Sequence, residues 1–200
     1  MLLTDIQFDS VLVSATPEQC QNIISGVQSV LVKKSKPKLD TPFKSYIYCT
    51  MGGLPKIVYD KSLEPQNIYE KNPNIINGRV VGEFVCDEIT EIHHNKALGG
   101  YSVGMSHPMC DFFAESTCMD YKELHKYLKG KDGYGWHISD LVIYDKPKEL
   151  SDFKCECKGN CIDRKSNTKC EKLFVDGFTC SGLKPLTKAP NSWCYVKEGT

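Results

Sequence analysis

The stretch that decides the fold is residues 11–26, VLVSATPEQCQNIISG, which joins a strand directly to a helix. Its first part is apolar and β-branched, and it belongs to a strand predicted over Phe8–Ala15. Thr16 can cap a helix, Pro17 suits the first helical position, and Gln19 completes a capping box. Gly26 is a natural helix terminator. The sequence therefore predicts a strand followed at once by a short helix.

The rest of the chain predicts short strands with one further clear helix. The helix is predicted over Asp120–Leu128, with irregular segments at 61–76 and 93–117 and a turn at Asp145–Pro147. Strands are predicted over Val27–Lys34, Tyr46–Thr50, Ile57–Tyr59, Arg79–Ile92, Trp136–Tyr144 and Asn191–Val196. Many short strands with two helices are typical of an α+β fold, here a small barrel with flanking helices.

The composition of the chain indicates the number of domains, the balance of charge and the cellular location that we expect. The chain has 200 residues, enough for one core, so we expect a single domain over 1–200. It carries 25 basic and 25 acidic residues, so nucleic-acid binding requires a local basic surface rather than net charge. The N-terminus lacks a basic leader, and no run approaches the roughly 20 apolar residues of a membrane helix. We therefore expect a cytoplasmic protein with no membrane partner.

Particular motifs carry a family resemblance that covers nearly the whole chain. Residues 11–17, the helix end 24–26, and the strand with Lys33 and Lys34 resemble the opening of ASCH domains. Residues 78–84, GRVVGEF, look like the central strand of that family. Residues 134–141, 144–147 and 192–196 resemble a subgroup common in phages and Firmicutes. The resemblance implies a PUA-like barrel that binds RNA or modified nucleobases in a cleft.

The chain departs from the pattern of the family at positions that matter for catalysis. Family members usually carry Gly-x-Lys-x-x-(Thr or Glu)-x-Arg, where this chain has Gln28, Leu31 and Lys33. In the amidohydrolase branch, the lysine and threonine act with a carboxylate that matches Glu83. A glutamine amide cannot act as a base and leucine cannot donate a hydrogen bond. The resemblance therefore favours binding over catalysis, with Glu83 the catalytic base if the protein is an enzyme.

Several residues are candidates for the ligand cleft. Lys33, Lys34 and Lys36, with Lys38 and Lys44, predict a local positive surface for phosphates, although such a run is also typical of a solvated loop. Alternation along the strand predicts that Glu83 shares an inward face with Val81 and Val85; the alternative is a half-exposed carboxylate paired with a lysine. The remaining candidates are Ser14, Gln28, Trp136, His137 and Trp193, where core packing or internal hydrogen bonding is the competing interpretation.

The cysteines give the strongest chemical pattern in the sequence. Five of the 11 fall in one short stretch, so we expect an insert over 154–182 that binds a structural zinc ion. Cys194 or a nearby histidine is a possible substitute ligand. Free or redox-active thiols and an iron–sulfur cluster are the alternatives. The predicted ligands are drawn from Cys155, Cys157, Cys161, Cys170 and Cys180.

Three functions follow from these patterns. The first is a non-catalytic module that binds RNA, single-stranded nucleic acid or a modified nucleotide. The second is a hydrolase of modified nucleosides or RNA that uses Glu83, with Lys33 or Lys34 stabilising negative charge. The third is a phage-encoded protein that binds and inhibits a host protein.

Overall fold

The structure is a computed structural model that describes residues 8–52, 75–96, 100–103, 106–108, 111–156 and 183–199. The predicted strand Ile57–Tyr59 and most of the predicted loop 61–76 lie outside these residues. Cys157, Cys161, Cys170 and Cys180 also lie outside them.

The described chain is mostly β-sheet with few helices. The helices are α1 (Pro17–Ile24), α2 (Asp111–Thr117) and α3 (Tyr121–Leu128), with a 3-10 turn at Leu150–Asp152. The strands are β1 (Ser10–Ala15), β2 (Val30–Lys33), β3 (Phe43–Cys49), β4 (Val80–Cys86), β5 (Ile89–Asn95), β6 (Gly100–Val103), β7 (Ser106–Pro108), β8 (Gly133–His137), β9 (Ser139–Lys148), β10 (Phe153–Glu156), β11 (Leu183–Pro185) and β12 (Trp193–Glu198). The predicted α+β class is confirmed.

The start and end of α1 are as the sequence predicts. The Thr16 hydroxyl accepts from the Gln19 amide at 3.2 Å, and the Gln19 side chain accepts from the Thr16 amide at 3.0 Å. Gly26 follows the helix with φ of 73°, a conformation that glycine adopts without steric cost. Cys20 and Ile23 are fully buried. Because α1 begins directly after β1, its apolar face packs on the sheet to which β1 belongs.

The described strands form two sheets. The larger has the order β11-β10-β12-β1-β3-β4-β9, in which β1 and β3 run parallel and the other pairs antiparallel. The smaller has the order β2-β8-β5-β6-β7. The main core contains side chains from both sheets, including Val11, Ile47 and Phe84 from the larger sheet and Leu31 and Trp136 from the smaller. The two sheets therefore pack against each other.

Two strands predicted as continuous are each split between the sheets. The predicted strand Arg79–Ile92 is β4 and β5, and the predicted strand Trp136–Tyr144 is β8 and β9. In both cases the chain crosses from one sheet to the other, at 87–88 and at Ile138. Because residues on both sides of each crossing pack on the same core, the apolar pattern continues and hides the corner.

Two segments that were predicted to be irregular form regular structure instead. The turn predicted at Asp145–Pro147 lies inside β9. β9 is the last strand of the larger sheet among the described residues, and an edge strand tolerates a proline because its outer amide needs no partner. The segment 93–117, predicted to be irregular, contains the end of β5, then β6, β7 and α2.

A β-bulge in β4 changes which side chains share a face. Ile47 pairs with Gly82 and Tyr48 with Val80, so Val81 is the extra residue in the ladder. Val81 therefore joins Phe84 in the main core, whereas Glu83 faces the opposite side of the sheet beside Tyr46. The prediction that Val81 and Glu83 share a face is wrong, because strict alternation does not hold through a bulge.

Two smaller clusters cover the outer faces of the sheets. One packs Leu12, Tyr46 and Phe153 on the larger sheet. The other packs Leu124 and Leu128 of α3 with Val32 and Ile92 on the smaller sheet. Within the described residues, none of the helices has both the length and the apolar character needed to cross a bilayer.

Candidate nucleic-acid interface

An open groove of about 710 Å³ lies beside the start of β12. Trp193 and Tyr195 reach it from one face of β12, and Cys194 reaches it from the other, because side chains alternate along a strand. Phe8, next to β1, completes the aromatic part of the wall. Lys38, Lys188 and Glu156 are charged residues of the lining. The described lining thus combines three aromatic rings with two cations and one carboxylate.

The aromatic rings of the groove continue a row that begins in the core. Trp136 is fully buried, and its ring centroid lies 5.9 Å from that of Trp193. Trp193 meets Tyr195 edge to face at 5.3 Å, and Tyr195 lies 5.8 Å from Phe8. Such contacts are each worth about 0.5–1.5 kcal/mol beyond area burial. These half-buried rings are therefore anchored on the core, and a change in their orientation costs free energy.

The loop after β2 is held across β12 by two of the same side chains. The indole N–H of Trp193 donates to the hydroxyl of Ser35 at 3.0 Å and lies 3.2 Å from its carbonyl oxygen. The backbone amide of Lys38 donates to the Tyr195 hydroxyl at 2.6 Å. Pro37 between them is buried. These contacts place Lys38 at the rim of the groove.

The lysines predicted to form one basic surface are in fact separated. Lys33 is only 3% exposed, so the prediction that it belongs to a positive surface is wrong. Lys34 lies over the Tyr127 ring at 4.8 Å. Lys36 pairs with Glu91 at 3.1 Å. The cause is strand alternation and the turn after β2, which direct successive lysines to different sides.

The buried ammonium of Lys33 is held by a backbone carbonyl. Its ammonium donates to the carbonyl of Ser14 at 2.6 Å. Burial lowers the pKa of Lys33 from 10.5 to about 8, although the nearby Cys20 acts in the opposite direction. Ser14 itself is buried, and its hydroxyl donates to the Pro190 carbonyl at 2.6 Å. Lys33 and Ser14 thus connect β2, β1 and the segment that leads into β12.

Gln28 and Trp136 are buried, each with an unpaired polar atom. Gln28 is 2% exposed, and its amide nitrogen donates to the Val30 carbonyl at 3.0 Å. Its side-chain oxygen and the indole N–H of Trp136 have no hydrogen-bond partner in the described structure. Trp136 packs edge to face on Phe43 at 5.6 Å. Neither residue is among the described lining of the groove.

Glu83 belongs to a separate polar network on the outer face of the larger sheet. One carboxylate oxygen accepts from Lys44 at 2.8 Å, and the other accepts from the Tyr144 hydroxyl at 2.5 Å. Burial alone raises the pKa of Glu83, but the hydrogen bonds from Lys44 and Tyr144 outweigh it and the net pKa is lowered. Beside them, Lys148 and the Tyr46 hydroxyl both contact Glu198. Glu83 is therefore the half-exposed, lysine-paired carboxylate that the alternative interpretation describes.

His137 is half exposed and pairs within the protein. Its Nδ1 lies 2.7 Å from the Asp87 carboxylate. This hydrogen bond is the main reason that the pKa of Asp87 is lowered. The pair links the end of β8 to the corner between β4 and β5.

Two thiols line the groove together. Cys155 of β10 and Cys194 of β12 are both half buried, and both pack against the outer cluster of the larger sheet. Burial, with a smaller contribution from Cys155, raises the pKa of Cys194 to about 11. The other four cysteines predicted as zinc ligands lie outside the described residues.

No family model matches the chain, and no curated protein matches it. Among solved structures, it is similar to ASCH from Zymomonas mobilis, with 14% identity, a TM-score of 0.46, and coverage of 71% of this chain and 74% of that chain. Two point mutants of the same protein are 13% and 14% identical to this chain, with the same TM-score. Each of these matches covers 71% of this chain, and they cover 76% and 75% of the mutant chains.

Sequence reasoning found Trp193 but missed the groove around it. The spacing Trp193-x-Tyr195 in a strand puts both rings on one face, so the sequence alone could have predicted this aromatic pair. Lys188 and Glu156 reach the groove through tertiary packing, and no local pattern singles them out.

Proposed function

We propose that this protein is a non-catalytic module that binds single-stranded RNA through the groove beside β12. The observation that carries the proposal is the row of half-buried aromatic rings, Trp193, Tyr195 and Phe8, which line the groove together with Lys38 and Lys188. The motifs that resemble ASCH domains agree with it, and we infer that the two packed sheets form a barrel of the PUA-like kind.

Unpaired bases match this lining better than duplexes do. Aromatic side chains stack on exposed base faces, with about 1–3 kcal/mol lost per base when such a ring is removed. In a duplex those faces are covered by neighbouring base pairs. Glu156 adds a carboxylate, a group that accepts hydrogen bonds from exocyclic amines such as that of cytosine.

The charge pattern predicts a modest dependence on salt. The net charge is zero, so phosphate contacts come from individual lysines rather than from a global field. Two groove lysines, Lys38 and Lys188, are placed to contact phosphates. Two contacts to a single strand give a slope of log K against log salt of about −1.4. Most of the affinity is then expected to come from stacking.

The contacts of Glu83 disfavour the hydrolase alternative. A carboxylate that accepts from both Lys44 and Tyr144, with a lowered pKa, is a weak base. Of the two lysines considered for that chemistry, Lys33 is buried and Lys34 lies over the Tyr127 ring. Glu83 is also absent from the described lining of the groove.

We propose separately that the cysteine-rich segment binds a structural zinc ion. The cluster of thiols in its sequence supports this, and Cys155 at its start lies at the groove wall with Cys194. Native mass spectrometry of protein purified without chelator should find one zinc ion per chain, held through dialysis against a weak chelator. Cys155→Ser should lower that content, and protein with no bound zinc would exclude the proposal.

The test of RNA binding is fluorescence anisotropy with a labelled single-stranded RNA and a matched duplex. Trp193→Ala and Tyr195→Ala should each weaken single-strand binding about 5- to 150-fold, from the stacking energy. Lys38→Gln should weaken binding and reduce the salt slope by about 0.7. The matched control is Lys36→Gln, because Lys36 is paired with Glu91 and is not among the described groove residues.

Three results would exclude the proposal. One is unchanged binding in both aromatic variants, and another is a stronger effect of Lys36→Gln than of Lys38→Gln. The third is turnover of RNA or of a modified nucleoside that Glu83→Gln abolishes while binding persists. That outcome would establish the hydrolase alternative instead.

A further inference from the structure

Two histidines from different elements face each other on the smaller sheet, away from the groove. His94 lies on β5 and His125 on α3, and their ring centroids are 6.0 Å apart. The Tyr101 ring lies 5.0 Å from His94 and 6.1 Å from His125. Tyr121 stacks on His125 at 6.1 Å. We infer that His94 and His125 form a binding site for a divalent transition-metal cation, such as Zn²⁺, Ni²⁺ or Cu²⁺, that joins α3 to the smaller sheet.

The position of Gly130 shows that both rings turn toward one point. Gly130 follows α3 with φ of 67°, and a Cβ built there would lie 3.6 Å from Cε1 of His94 and 3.9 Å from Cε1 of His125. In an imidazole, Cε1 lies between the two nitrogens, so the nitrogen-bearing edges of both rings approach the same space. Since glycine has no side chain, that space stays open.

His94 also has an unused nitrogen. Its Nδ1 is buried and has no hydrogen-bond partner in the described part of the chain. The other ring nitrogen, Nε2, faces the shared space and lies 3.8 Å from the Cβ position at Gly130, so it is the nitrogen placed to bind a metal ion. The backbone of His94 is fixed, because its amide donates to the Asp132 carboxylate at 2.8 Å.

The geometry suits a cation held by two imidazoles. Zinc–imidazole bonds of about 2.0–2.1 Å place two tetrahedrally arranged rings with centroids about 5 Å apart. The rings must therefore approach by about 1 Å, a movement open to His125 because its side chain is exposed. Imidazole is a good ligand for Zn²⁺, Cu²⁺ and Ni²⁺ but a poor one for Mg²⁺, so the site should discriminate among cations.

Tyr101 forms a wall of this site rather than a ligand. Burial raises the pKa of Tyr101, and its hydroxyl oxygen accepts from the Gly130 amide at 3.1 Å. Within the described ranges, no group of three or more His, Cys, Asp or Glu side chains is arranged to hold a metal ion. The two histidines are thus the protein ligands, and water completes the coordination shell.

The test is thermal unfolding of the full-length chain with and without Ni²⁺. Because only folding brings the two ligands together, binding at this site stabilises the folded state. At a metal concentration about 100-fold above Kd, Tm should rise by about 5–10 °C, with no rise in Mg²⁺. His125→Gln and His94→Gln should abolish the rise. His93→Gln is the matched control, because His93 is next in sequence and contacts Glu91 and Asp132 instead.

A second measurement separates this site from the thiols. During a titration with diamagnetic Zn²⁺, the imidazole NMR resonances of His94 and His125 should shift together, whereas those of His93 should not. The inference is overturned if His125→Gln shows the same Tm rise as the unmodified chain, or if the two resonances do not respond. Should His94→Gln fail to fold, the exposed His125 decides the outcome alone.

Discussion

Replacing Lys33 with methionine should change how stability depends on pH. Burial lowers the pKa of Lys33 from 10.5 to about 8 in the folded protein. Below pH 8 the folded chain therefore carries the cost of a buried ammonium, about 3 kcal/mol for a pKa lowered from 10.5 to about 8. That cost falls as pH rises from 8 to 10.5 and is absent above 10.5, where the lysine is neutral in both states. Methionine has a similar length and never carries the cost.

The measurement is urea unfolding of both chains between pH 7 and pH 10 under reducing conditions. The free energy of unfolding of the unmodified chain minus that of Lys33→Met should rise by about 2.5 kcal/mol over this range. Taking the difference removes the contributions of the buried tyrosines and of the thiols other than Cys20, whose interaction with Lys33 is lost in the variant. The lost hydrogen bond to the Ser14 carbonyl shifts the difference by about 1 kcal/mol at every pH and leaves its slope unchanged. A difference that does not vary with pH would refute the buried, charged lysine.

Two further predictions concern the larger sheet. Gly82→Ala should lower the free energy of unfolding by on the order of 2–4 kcal/mol in urea melts. The added methyl group would collide with the backbone oxygen of Val142 and lie 3.1 Å from Cδ1 of Ile143. An effect below about 0.5 kcal/mol would contradict the close pairing of β4 with β9. Tyr144→Phe should raise the pKa of Glu83 in carboxylate NMR titrations, since it removes one of the two hydrogen bonds that lower it. The lowered pKa of Glu83 contributes stability that is present above its unfolded value of 4.5 and is lost as pH falls through the folded value. Tyr144→Phe should therefore lose less stability in that acid range, and an unchanged pKa would contradict the contact.

Local sequence signals predicted the two longer helices, whereas they did not predict the corners between strands. The capping box at Thr16 places the start of α1 correctly, because such a cap depends on a few adjacent residues. The helix predicted over Asp120–Leu128 is α3, and the structure adds a second capping box at Asp120. The corners at 87–88 and Ile138 were missed, since side chains on both sides of each corner are buried in one core. Whether an apolar run stays in one sheet depends on partners distant in sequence.

The candidate site was predictable only in part for the same reason. Trp193 stands out because tryptophan is rare in this chain, with two copies. The lysine run was visible as a pattern, but the pattern does not show that Lys33 turns inward and Lys38 reaches the groove. Glu83 was assigned to the inner face because the bulge at Val81 cannot be recognised from alternation.

The most direct test of the proposed RNA-binding groove is photocrosslinking with single-stranded RNA that carries 4-thiouridine, followed by mass spectrometry of the modified peptides. We expect adducts on Trp193, Tyr195 or Phe8 that an excess of unlabelled single strand competes away and that a duplex does not. Adducts confined to the Glu83 and Tyr144 face, or no competable adduct at all, would contradict the proposed groove.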